Sequence, residues 1–253
     1  MSWHIEIMLQ ALASRLSGFL AAAIVVVAGP AALAQSSGGL KVVELYTSQA
    51  CPNSPQADEN LRIIAGRPDV LALTLPVTYW DYFGWRDTLA HKSFDERQEG
   101  YVETLEGQWL YTPQIIVNGI EALDGEKLST LSSTLDETKA LPLLGVQPSG
   151  RDTLNITLPR NGPDHEAALV FVSWHEKPVT VDVKGGKNSG KNLSYTNVVH
   201  TLVKIDEVLP GETGTIGYTL PEAARGKPCA VFLQDAETGE MAAAARCGPG
   251  ITS

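Results

Sequence analysis

Basic side chains are scarce in this chain of 253 residues. There are 19 Lys and Arg against 29 Asp and Glu, a formal net charge of -10. Such an acidic excess makes nucleic acid and anionic membrane surfaces poor partners. Histidine is sparse and scattered, at His4, His91, His165, His175 and His200. No pair has zinc-ligand spacing, so neither a dedicated metal site nor a cofactor is expected. Cysteine is rarer still, with Cys51, Cys229 and Cys247 alone. An odd count leaves one thiol outside any intrachain disulfide.

What is present begins with a leader. Leu16 to Ala34 is apolar, follows Arg15, and ends in Ala32-Leu33-Ala34 before Gln35. That is a small-x-small cleavage site, so residues 1–34 are expected to be a signal peptide. The alternative is an uncleaved anchor, for which the run is barely long enough and is broken by Gly29 and Pro30. Cleavage implies a periplasmic or secreted protein in an oxidising compartment, with no membrane attachment afterwards.

Two stretches organise the mature chain. The first, VVELYTSQACPNSPQAD from Val42 to Asp58, reads as a β-branched strand, a polar turn, and a cysteine where a helix begins. Free N–H groups and partial positive charge at a helix N-terminus favour thiolate over thiol. The second, YTPQIIVNG from Tyr111 to Gly119, is a Thr-Pro step feeding a short apolar strand and an Asn-Gly turn. Around them the periodicity predicts a strand at Lys41–Tyr46 and a helix at Ser54–Ala65, with Leu61, Ile63 and Ile64 as its apolar face. A strand at Asp69–Val77 follows, then a helix at Ser93–Leu105 with Phe94 and Tyr101 on one face. Gln114–Val117 and Glu121–Leu123 form a hairpin across a two-residue Asn118-Gly119 turn. A last helix covers Glu126–Lys139. That order is the order of a thioredoxin fold, assigned to residues 35–141.

Pro142, Gly145, Pro148 and Gly150 mark a boundary. Beyond it only short strands are predicted, at Leu154–Leu158, Glu166–Trp174, Val179–Val183, Leu193–Ile205, Gly214–Leu220, Ala230–Gln234 and Met241–Ala245. The fold class is therefore α/β: a thioredoxin-like N-terminal domain followed by an all-β, sandwich-like domain at residues 142–253. In the last hairpin, a register setting Asp235 opposite Met241 also sets Cys229 opposite Cys247. Cross-strand neighbours can be joined by a disulfide, and this one stabilises by about 2–4 kcal/mol. Two unpaired core cysteines are the alternative.

Cys51 is left alone. It is either a reactive thiolate or an inert, small hydrophobe. Its helix-start position, the polar neighbours Ser48, Gln49, Asn53 and Ser54, and the Thr112-Pro113 step favour the first. The aromatic run Tyr79-Trp80-Asp81-Tyr82-Phe83-Gly84-Trp85 either lines a groove beside the thiol or packs beneath a loop. Trp80 and Tyr82 are the candidate substrate contacts.

The pattern VVELYTSQAC..SP.AD, then LTLPVTYWDYFGWRDTLA, YTPQIIVNG and GKNSGKNLSYTNVV, resembles the DUF1223 family across nearly the whole mature chain. The resemblance implies an exported bacterial protein with a thioredoxin-like domain, a cis Pro113 beside the thiol, and no established activity. Members usually carry Cys-x-x-Cys-Pro. Here Cys51-Pro52-Asn53-Ser54-Pro55 keeps the first cysteine and places Ser54 at the second. Without a resolving thiol, Cys51 can form mixed disulfides but not an internal one. The expectation is single-thiol exchange through Cys51, with Ser54 donating to its thiolate and Thr112 and Pro113 shaping the wall. Its partners are a thiol- or disulfide-bearing client protein, or glutathione. A redox-inactive, thioredoxin-fold binding module of the envelope is the alternative. The sequence assigns no oligomeric state.

Overall fold

The computed structural model describes residues 39–105, 107 and 109–247. The expected leader lies outside the described residues. Strand β1 (Lys41–Thr47) alternates its side chains across the pleat. Val42 and Tyr46 face one core, and Val43 and Leu45 face another. It pairs in parallel with β2 (Val70–Pro76) and antiparallel with β3 (Gln114–Val117). Strand β4 (Glu121–Leu123) completes a mixed sheet of order β2-β1-β3-β4. The Val117–Glu121 pairing encloses Asn118, Gly119 and Ile120, one residue more than the expected two-residue turn. Both Asn118 and Gly119 have positive φ.

Helix α1 (Ser54–Ile64) and helix α3 (Leu128–Glu137) cover one face of this sheet. On α1 the inward stripe is Ala57, Leu61 and Ile64, spaced by four and three residues. Ile63, expected on that stripe, faces outward and is 45% exposed. Helix α2 (Lys92–Thr104) turns Phe94 and Tyr101 to the opposite face. There they join Leu71, Leu73 and Leu75 in a core completed by strands from the second half of the chain.

Those strands are β7 (Ala167–Trp174), β10 (Val199–Val208), β12 (Cys229–Asp235) and β13 (Met241–Arg246), in the order β10-β7-β12-β13. One face of this sheet offers Val170, Val172 and Phe232 to α2 and the first sheet. Its other face offers Leu169, Phe171 and Val231 to a smaller sheet of order β11-β6-β5. These are β11 (Thr215–Thr219), β6 (Thr153–Thr157) and β5 (Gly145–Pro148). The fold is thus α/β, with mixed and antiparallel sheets stacked through shared cores. The described residues belong to one compact unit. The stretch expected as a boundary carries β5.

The long strand expected at Leu193–Ile205 is two strands. Asn197, at φ 50, breaks it, leaving β9 (Asn192–Tyr195) to pair with β8 (Val179–Asp182). In the last hairpin Gln234, not Asp235, pairs with Met241, because a bulge follows Leu233. Between Ala230 and Leu233 the register is the expected one, and the Cys229–Cys247 disulfide is formed.

Candidate functional site

Strand β1 delivers the chain to a loop, Ser48–Asn53, whose backbone is held at several points. Gln49 N–H donates to the Asp87 carboxylate at 2.7 Å. Ala50 N–H donates to the Ser48 hydroxyl at 3.1 Å, and Cys51 N–H to the Ser48 carbonyl at 3.2 Å. The Asn188 amide donates to the carbonyls of Gln49 at 3.0 Å and Cys51 at 2.7 Å. The Gln49 side chain accepts from the Trp85 indole at 2.8 Å and donates to the Thr88 hydroxyl. Two distant segments therefore grip the loop, one around residues 85–88 and one at residue 188.

Cys51 is the free thiol, and only 2% of the residue is exposed. Its Sγ donates to the Thr112 carbonyl at 3.4 Å, a bond only the protonated form makes. The Thr112–Pro113 peptide is cis, so the Thr-Pro step stands against the sulfur, as expected. Tyr79 lies close enough that a charge on Cys51 raises its pKa, although burial is the larger cause. The Tyr79 hydroxyl donates to Gln98 at 3.2 Å, and Gln98 donates to the Tyr111 carbonyl at 2.9 Å. Helix α2 thereby fixes both walls beside the thiol.

Ser54 is fully buried at the start of α1. Its hydroxyl accepts from Ser48 N–H at 3.4 Å, so it braces the cysteine loop. The expected neighbour Trp80 is half-buried and packs at a tilt against Phe83, with ring centroids 4.9 Å apart. Tyr82 is 93% exposed. The aromatic run thus divides: Tyr79 beside the thiol, Trp85 under the loop, Tyr82 and Phe83 toward solvent.

Sequence reasoning missed Asn188, Gln98 and Asp58 here, and it left Asp87 open between an ion pair with Arg86 and a proton acceptor near Cys51. Burial, opposed by its backbone hydrogen bonds, pushes the Asp87 carboxyl up to about 6. Asp58, one turn beyond Ser54, is buried, and among the described residues neither carboxyl oxygen has a hydrogen-bond partner. Burial pushes its pKa well up. The Thr47 and Tyr195 hydroxyls near it are buried too. Asp58 stands in the SP.AD motif and Asn188 in the GKNSGK motif, but neither spacing tells that they flank the cysteine loop.

Chemically, the site holds one sulfur nucleophile, no second thiol in reach of its loop, and a carbonyl that fixes the S–H direction. Among the described residues no group of three His, Cys, Asp or Glu side chains is arranged to hold a metal ion.

A family model described as "Protein of unknown function (DUF1223)" matches residues 42–234. Among solved structures, the X-ray crystal structure of protein AGR_C_4864 from Agrobacterium tumefaciens is 31% identical. It superposes with a TM-score of 0.66, covering 83% of this chain and 94% of that one. HBP35 of Porphyromonas gingivalis is 14% identical, with a TM-score of 0.56 over 85% of this chain and 78% of that one. That second likeness is one of fold alone. No curated protein matches the sequence.

Proposed function

The chain belongs to the DUF1223 family, and we propose that it is an exported, thioredoxin-like protein that performs thiol–disulfide exchange through Cys51. The observation that carries this reading is the Cys51 thiol held 3.4 Å from the Thr112 carbonyl, between the end of β1 and the start of α1. A sulfur beside the backbone that leads into β3 is suited to meet a client disulfide. The Cys229–Cys247 disulfide agrees with export to an oxidising compartment.

The reaction has two balanced steps. The Cys51 thiol first gives its proton to solvent. The thiolate then attacks one sulfur of a client disulfide, a new S–S bond forms, and the other client sulfur leaves as a thiolate. A small thiol such as glutathione, or a thiol of a partner protein, next attacks the client sulfur of this mixed disulfide. Cys51 leaves as the thiolate and is reprotonated. Ser54 takes no part as a resolving group.

The burial of Cys51 supports a second reading, a binding module in which the scaffold persists without redox work. Tyr82 and Phe83, 93% and 59% exposed, are its contact candidates. Incubation of native protein with glutathione disulfide, followed by intact mass, separates the two. A glutathione adduct on Cys51, absent in Cys51→Ala, is the expected result. An adduct that forms only in denaturant would reject exchange and leave the binding module.

A further inference from the structure

The GKNSGK segment lies far from Cys51 in sequence, yet its asparagine reaches the cysteine loop. Strands β8 and β9 are joined by a loop braced from within. Val183 N–H donates to the Lys191 carbonyl, Gly190 N–H to the Val183 carbonyl, and Ser189 N–H to the Gly186 carbonyl. The loop lies flat on its neighbour because Gly185 carries no side chain. A Cβ there would stand 2.4 Å from the Gly84 carbonyl oxygen.

Asn188 is fully buried at the tip. Both hydrogens of its amide are used, one on the Gln49 carbonyl and one on the Cys51 carbonyl. Its own oxygen accepts from the Lys191 ammonium at 2.8 Å. That contact settles which end of the amide faces the cysteine, since an ammonium can only donate. It also polarises the amide and strengthens both bonds to the loop.

We propose that Asn188, oriented by Lys191, is a positioning residue that latches the cysteine loop and sets how readily Cys51 meets a reagent. The inference deepens the exchange reading by naming what controls its thiol. Two donated bonds close the backbone on either side of Ala50, immediately before the sulfur. Releasing them lets residues 49–51 move away from Thr112 and Tyr79 without unfolding the sheets.

The test is the rate at which iodoacetamide alkylates Cys51 in the native full chain, with the disulfide intact. Asn188→Ala is expected to raise that rate roughly tenfold, the opening equivalent of two modest hydrogen bonds. Asn188→Asp fills the same space but lacks both donors, so it is expected to behave like Asn188→Ala. If Asn188 only fills space, the aspartate variant keeps the parent rate, and the proposal is overturned. Lys191→Met alters an exposed side chain and frees the amide to turn; a smaller rise, of a few-fold, is expected. Urea midpoints separate local opening from global unfolding. Where the Asn188 variants do not fold, Lys191→Met decides, and an unchanged rate there overturns the latch. Failure of the exchange reading shows instead as parent protein that forms no adduct with glutathione disulfide.

Discussion

Replacing Arg97 by methionine tests how the first sheet is joined to the second. Arg97, on α2, gives Glu44 on β1 two bonds, of 2.7 and 3.0 Å. It gives Gln234 on β12 a third, of 3.0 Å, and the Tyr101 hydroxyl a fourth, of 3.0 Å. The Glu44 side chain is fully buried and the Arg97 side chain is 11% exposed. Methionine replaces the apolar stem and supplies no donor. Glu44 then keeps only the Tyr101 hydroxyl, 2.6 Å away. An intact buried pair is worth little against a well-packed apolar pair, but removing one partner strands the other charge. That typically costs about 3–5 kcal/mol, a large share of a total stability of about 5–15 kcal/mol. In urea unfolding followed by circular dichroism, Arg97→Met is expected to lower the midpoint with little change in slope. Adding Glu44→Gln removes the stranded charge, so the double variant is expected to be more stable than Arg97→Met alone. A loss under about 1 kcal/mol for Arg97→Met, or a double variant no better than the single one, would refute the reasoning.

Asp87 predicts a pH dependence. Burial lifts its pKa from 3.8 to about 6, so between those values the folded chain holds a proton that the unfolded chain has released. Its contribution is full below about pH 4 and lost as pH rises through about 6, a decline on the order of 3 kcal/mol. Asp58, also pushed up by burial, acts in the same direction, so the comparison with Asp87→Asn isolates one group. Urea midpoints for that variant are expected to vary less over the window, and parallel curves would count against the assignment. Gly119→Ala places a Cβ 2.0 Å from the Gly239 carbonyl oxygen at a φ of 78. A loss above about 2 kcal/mol is expected. Gly150→Ala, at positive φ but with open space around it, is expected to cost about 1 kcal/mol, with urea midpoints measured for both variants.

How far the sequence could be read depended on whether the signal was local. The strands β1, β2 and β3 were legible because their side chains are buried on both faces and their runs are β-branched and apolar. The disulfide was legible because register carries from one cross-strand pair to the next, and the bulge at Leu233 falls beyond the cysteines. Strand β5 was hidden because it starts at Gly145 and ends at Pro148, with Val146 alone fully turned to the core. The break at Asn197 was masked by the β-branched residues on either side. At the site, Cys51, Thr112 and Pro113 could be placed by a strand, a helix start and a Thr-Pro step. Asn188 and Asp87 could not, because each meets the loop through a contact between segments 38 or more residues apart. Glu44 was the overlooked local signal: a carboxylate within a wholly buried strand needs a partner.

The core that Val42 and Leu73 share with Phe232 and Ala244 orders events in time. On the ribosome, β1, α1 and β2 emerge early and can close over the helical face from nearby residues. Their other face is covered in part by Phe94 and Tyr101 of α2, and the rest of its cover, from β7, β12 and β13, is made later. A nascent chain therefore carries a partly covered apolar sheet until those strands are made. Folding is governed by the slow closure of that long loop, and the interval before closure is when a chaperone has most to bind.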